Sequence, residues 1–176
     1  LASIARPALE ELNRITNETV LLMVVEGSHG VYLQRVDSPH GVAIRSRVGG
    51  REPLHASSVG KALLAHLPEE QVDRILAERG LPPRTPNTIT DPIVFREHLA
   101  EIRQKGYAID DEEGEIGIRC IGAPVFNHLR QPVAAVSIAA PAYRTPVEKL
   151  IGWSHVLLEK TAEISEQLGY QNKERA

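Results

Sequence analysis

Cys120 is the only thiol in the chain. A nucleophilic cysteine needs a base and an orienting group within reach, and His55 and Asp110 are of the right types. The ordinary role of a lone cysteine is that of a small buried hydrophobe. Its surroundings are unusual. Side chains alternate faces along a strand, so Val133, Ala135, Ser137 and Ala139 share one face of one strand, and Cys120 and Gly122 share one face of its neighbour. Pairing the two strands floors one side of a sheet with Cys120, Gly122, Ala135, Ser137 and Ala139. Cores need bulk to reach native density. Such a floor fits either a pocket whose missing volume a ligand supplies or a helix packed close against small residues.

Ser57-Ser58-Val59-Gly60 opens a helix, where free backbone N–H groups suit a carboxylate and where ordinary capping is the competing role. Lys61 after Gly60 has the look of a phosphate loop. However, His55 stands where its first glycine belongs and Ala62 where Ser or Thr belongs, so that reading fails. No G-x-S-x-G or H-E-x-x-H motif occurs. The seven histidines are scattered, with no ligand pair at helical spacing, and no metal or other cofactor is expected. Asp111, Glu112 and Glu113 read as a solvated acidic loop. Asp110 differs, because it ends Tyr107-Ala108-Ile109 and can reach inward.

The elements that must position these residues follow from periodicity and caps. Ile4, Ala8, Leu12 and Ile15 mark a first helix. Thr19–Glu26 and Val31–Val36 read as antiparallel strands punctuated by Gly27 and Gly30, with a third strand expected over Val42–Val48. A helix follows from Ser57 or Ser58, and another from Pro68-Glu69-Glu70 to Arg79-Gly80. Leu81-Pro82-Pro83-Arg84-Thr85-Pro86 must be extended. Thr90 or Asp91 caps a helix with Pro92 at its start, Phe95, Leu99 and Ile102 inward, and Gly106 as its stop. Strands over Tyr107–Asp110, Arg119–Phe126 and Pro132–Ala140 come next, the last two joined by a turn at Asn127–Arg130. One final helix from Pro146 carries Val147, Leu150, Ile151, Leu157, Ile164 and Leu168 on one side. This order predicts an α+β fold with a mostly antiparallel sheet of about six strands.

Composition narrows the function. At 176 residues, with 42% hydrophobic and 24% charged side chains, one compact domain is expected, and disorder, collagen and coiled coil are excluded. Twenty basic residues meet 23 acidic ones, a net charge of -3, which argues against direct DNA binding by this chain. A single cysteine excludes an internal disulfide framework and fits a reducing, cytoplasmic setting. No run approaches the ~20 apolar residues needed to span a bilayer, so no membrane partner is expected.

Three ordered motifs resemble one family. They are Pro53-Leu54-His55-Ala56-Ser57-Ser58-Val59-Gly60-Lys61-Ala62-Leu63-Leu64-Ala65, then Gly106–Glu113 followed by Gly117–Val125, then Val133-Ala134-Ala135-Val136-Ser137-Ile138. Their order and spacing resemble the C-terminal effector-binding domain of the IclR family of bacterial transcription regulators, over essentially the whole chain. The resemblance implies a GAF-like central antiparallel sheet with helices on both sides, spanning 1–176 as one domain with a linker helix at 1–17. The family's N-terminal winged helix-turn-helix has no counterpart in this chain, so DNA would be met only through that missing module. A small organic acid effector (keto, hydroxy or aromatic) and a homodimer or homotetramer are implied as partners.

The family's ligand contacts fall on Ile44, Ser58, Val59, Asp110, Ile118, Cys120 and Ser137, with no catalytic residue among them. Ala139 stands where some members carry a second serine, which points to a more apolar ligand than a two- or three-carbon acid. The resemblance places a carboxylate on the Ser58 and Val59 N–H groups, Cys120 and Ser137 on it or on a neighbouring oxygen, and Asp110 on a hydroxyl. Near a bound carboxylate the pKa of Asp110 should rise. Two alternatives stand beside this sensor: a small cysteine-dependent enzyme using Cys120, and a pure oligomerisation module.

Overall fold

A computed structural model describes residues 1–42, 44 and 46–171. Six strands form one antiparallel sheet. They are β1 (Thr19–Glu26), β2 (His29–Val36), β3 (Arg51–Glu52), β4 (Ala108–Asp111), β5 (Ile118–Phe126) and β6 (Pro132–Pro141), in the order β3-β2-β1-β6-β5-β4. Helices α2 (Ser58–Leu64), α3 (Glu69–Arg79) and α4 (Pro92–Lys105) contribute to the core on one face. Helices α1 (Ala2–Thr16), α5 (Val147–Gly152) and α6 (Ser154–Gln167) contribute to the core on the other.

Strand alternation builds both cores at once. Leu21, Met23, Ala135 and Ala139 join the α2–α4 side, while Val20, Leu22, Val136 and Ile138 join the α1–α6 side. The caps act as their residue types require. Asp91 accepts from the N–H groups of Ile93 and Val94, Pro92 occupies the first turn, and Gly106 ends α4 with φ 82°.

Three expectations are corrected. No strand runs over 42–48 among the described residues, and positions 43 and 45 of that stretch lie outside them. The outer edge of β2 is taken instead by β3, through the pairs Gly30↔Glu52 and Val31↔Arg51. The final helix is two, broken at Trp153 after Gly152, a weak helix former. Ile151 is consequently exposed, as is Ile15 on α1, where Leu9 and Leu12 fill the core instead.

Candidate functional site

Close approach of α2 to the sheet creates the site. Ser57 caps α2, its Oγ accepting from the Gly60 N–H at 3.2 Å. A Cβ on Gly60 would lie 2.2 Å from the Leu54 carbonyl oxygen, and one on Gly122 would lie 2.8–2.9 Å from the backbone of Ser58 and Val59. The bare Cα of Gly60 is therefore needed to pack α2 on residue 54, and that of Gly122 to seat the helix start on β5. The two readings of the small-residue floor divide along the strands: Gly122 is covered by the helix, and Cys120, Ser137 and Ala139 line a cavity of about 100 Å³ beside it.

The register explains the grouping. Asp110, Cys120 and Ala139 form one row across β4, β5 and β6, and Gly122, Ser137 and Leu21 form the next across β5, β6 and β1. All eight residues singled out from the sequence (Ile44, Ser58, Val59, Asp110, Ile118, Cys120, Ser137 and Ala139) line this one cavity. Sequence reasoning missed Tyr32, Ser46, Glu52, Arg84 and Glu115, which also line it. Leu21 could have been found from strand alternation once the β1–β6 register was known. Arg84 lies in a proline-rich segment whose only sequence signal was extended backbone.

Two hydroxyls on the wall lack partners among the described residues. Ser58 Oγ is buried without a hydrogen bond, and Ser137, 2% exposed, makes no side-chain hydrogen bond. An unsatisfied buried hydroxyl costs about 1–3 kcal/mol, so a molecule that bonds to it is favoured there.

Asp110 is 5% exposed. Its Oδ1 accepts from the N–H groups of Glu113 at 2.7 Å and Gly114 at 3.4 Å, which folds the loop after β4 back on itself. Burial pushes its carboxyl up to about 7, opposed by the Glu113 N–H bond and reinforced by the Glu113 charge. The expected rise is thus present without any bound carboxylate, and its first cause is desolvation. A raised acid pKa means the folded state holds its proton longer than the unfolded chain. The stabilisation is complete below about pH 4 and is lost as pH rises through about 7. Asp110→Asn, which keeps an acceptor for both N–H groups, should flatten this decline of about 1.4 kcal/mol per pH unit. Urea unfolding across that pH range checks it; an unchanged slope would assign the titration to another group.

Cys120 is not activated. Burial pushes its thiol well above the ordinary range, and the Asp110 charge pushes the same way. His55, the base an enzyme would need, lines a separate cavity with Ser28, His29, Pro53, Arg79 and Pro82, its Nε2 2.9 Å from the Pro82 carbonyl oxygen. The structure does not bring it to the thiol.

Glu113 departs from the solvated-loop expectation. It is 7% exposed and meets Lys61 Nζ at 2.6 and 2.8 Å. Lys61 is fully buried and also donates to the Ile109 carbonyl oxygen at 2.6 Å, with His98 Nε2 at 3.1 Å. Burial, then the Lys61 charge, pushes His98 down to about 4, so its imidazole is neutral and accepts from the amine. A buried cation on α2 thereby holds the loop that presents Asp110, Gly114 and Glu115 to the cavity. Among the described residues no group of His, Cys, Asp and Glu is arranged to hold a metal ion.

Solved structures share this fold. The crystal structure of the Thermotoga maritima IclR superposes with a TM-score of 0.91 at 43% identity, over 96% of this chain and 68% of that one. A double mutant of the PobR inducer-binding domain from Acinetobacter, in complex with 3-hydroxybenzoic acid, gives a TM-score of 0.86 at 30% identity, over 94% and 97%. Fold and cavity together define a ligand-binding regulatory domain of a transcription regulator. Residues 1–166 match the family described as bacterial transcriptional regulator IclR C-terminal, and the chain belongs to the IclR family. The transcriptional repressor IclR of Escherichia coli K12 is 35% identical over 167 residues, which is 94% of this chain and 61% of the repressor. The chain thus spans about three-fifths of that relative's length. No helix among the described residues is long and apolar enough to cross a membrane.

Proposed function

We propose that this chain senses a small organic acid in the cavity beside α2 and, within a cytoplasmic homodimer or homotetramer, passes the signal to a DNA-binding module. The observation that carries the reading is the cavity itself: about 100 Å³, walled by apolar Leu21, Ile44, Ile118 and Ala139, with the hydroxyls of Ser58 and Ser137 unpartnered. The 3-hydroxybenzoic acid complex of the PobR domain supports the ligand class. The effector-binding set is Ile44, Ser58, Val59, Asp110, Ile118, Cys120, Ser137 and Ala139.

Each group has a defined task in this reading. The backbone N–H groups of Ser58 and Val59 precede the hydrogen-bonded part of α2 and donate to a carboxylate. Helix α2 has only seven residues, so local N–H groups rather than a long dipole do this work. Ser137 and Cys120 hydrogen-bond the acid or a neighbouring keto or hydroxyl oxygen. Asp110 uses Oδ1 on its own loop, so Oδ2 is the atom left for the ligand. Protonated, it donates to an anionic oxygen; ionised, it accepts from a hydroxyl. Binding biases two arrangements of the oligomer by its difference in affinity for them. Catalysis is not part of this reading, since the thiol is held protonated and its candidate base lies elsewhere.

A thermal-shift screen of mono- and dicarboxylic, keto, hydroxy and aromatic acids tests it. A ligand at about 100 times its dissociation constant adds about 2.7 kcal/mol to the folded state. One chemical series should shift the midpoint, and Ser137→Val should abolish the shift while the domain stays folded. A shift that survives in Ser137→Val places the ligand outside this cavity.

A further inference from the structure

Among the described residues three carboxyl side chains line the cavity, those of Glu52, Asp110 and Glu115, against one cationic side chain, that of Arg84. An anion entering this space meets carboxyl groups on several sides, and those that are ionised repel it. Arg84 is placed to offset them. It belongs to a turn between α3 and α4 that hydrogen bonds stitch to the loop after β4. The Arg84 and Thr85 N–H groups both donate to Thr88 Oγ1 at 3.0 Å. Thr88 Oγ1 donates to the Glu113 carbonyl oxygen at 2.7 Å, and Thr85 Oγ1 to that of Glu112 at 2.7 Å. The backbone is thus pinned, while the exposed side chain makes a single hydrogen bond, its Nε donating to the Gly114 carbonyl oxygen at 3.3 Å, and its charge acts on Glu52. Among the described residues Arg84 makes no ion pair, so both terminal nitrogens of a planar fork suited to carboxylates are uncommitted.

We infer that Arg84 is the specificity-determining residue by which the cavity selects a carboxylate over a neutral ligand of the same shape. The inference rests on the reading that the cavity receives an organic acid, and it adds the residue that reads the charge. The class of ligand it favours is a monocarboxylate whose remaining oxygens are hydroxyl or keto groups. Among the described residues a second carboxylate would find no further cationic side chain in the wall.

Cys120 is a built-in reporter, because the sole thiol lines the same cavity. Iodoacetate and iodoacetamide alkylate sulfur by the same displacement of iodide and differ as acid and neutral amide. Burial raises the pKa of the Cys120 thiol, so both reagents act through the same minor thiolate fraction, which cancels in the ratio of their rates. That ratio is divided by the one for the urea-unfolded chain. The folded chain should favour iodoacetate. Arg84→Gln should lower the normalised ratio about fivefold or more, the scale of one charge pair at 4 Å in water, and Arg84→Lys should retain part of the preference. Thermal midpoints confirm that both variants fold. The inference is overturned if Arg84→Gln leaves the ratio unchanged, or if the folded chain shows no preference for iodoacetate over iodoacetamide. Failure of the acid screen with the Arg84 dependence intact would instead remove the sensor reading alone.

Discussion

Lys61→Met should lower the unfolding free energy by about 3–5 kcal/mol, because it strands Glu113 as an unpaired charge in the interior. The amine has no access to solvent, and its partner is 7% exposed, so water cannot take over the lost contact. Three acceptors lose their donor together: Glu113, the Ile109 carbonyl oxygen and His98 Nε2. The pair Lys61→Met with Glu113→Leu should recover much of the loss, since removing both charges removes the desolvation penalty as well. Recovery should stop short of the parent value because Ile109 and His98 remain without a donor. Urea unfolding of the parent, both single variants and the double variant closes the cycle. Equal losses in the single and double variants would show that shape, and not charge pairing, makes Lys61 matter. The variant should also weaken any ligand of the cavity, since Lys61 holds the loop that carries Asp110.

Gly60→Ala should lower the thermal midpoint by about 3–10 °C, corresponding to an overpacking cost of about 1–3 kcal/mol. The added methyl would fall 2.2 Å from the Leu54 carbonyl oxygen and 2.5 Å from its Cα, so backbone and not a flexible side chain must yield. Any relief moves α2 away from residue 54 and with it Ser58 and Val59 on the cavity wall. Gly152→Ala is the control, since nothing lies within 4 Å of its added Cβ. It should leave the midpoint within a few degrees of the parent, or raise it slightly through reduced unfolded-state freedom. Similar losses in both variants would place the effect in backbone propensity and not in the contact with Leu54.

Local signals were sufficient where the physics is local. The cap and stop of α4 at Asp91 and Gly106, the acids opening α3, and the alternation of β5 and β6 each depend on residues a few positions apart. The motif at Pro53–Ala65 and the ten-residue interval from Asp110 to Cys120 carried the family and the positions now found around one cavity. Alternation also revealed that one face of the β5–β6 hairpin was too small to fill a core by itself. It could not say what covers that face, because the covering groups come from other parts of the chain.

Only the tertiary structure decided those. Lys61 and Glu113 are 52 positions apart; Glu113 read as a solvated loop charge and Lys61 only as a failed phosphate-loop match, and their pairing needs a helix and a loop to converge. Arg84 reaches the cavity because Thr85 and Thr88 bind loop carbonyls at residues 112 and 113, pairings that no periodicity announces. The stretch 42–48 has the composition of a strand, but β3 occupies the edge of β2 and Ile44 lines the cavity instead. The sequence by itself thus determined most of the elements, most of the faces they bury and the family, since these depend on short-range geometry and on side-chain type. Which charges are buried and which cation lines the cavity were settled by long-range packing; for the buried Lys61–Glu113 pair desolvation makes each partner necessary to the other.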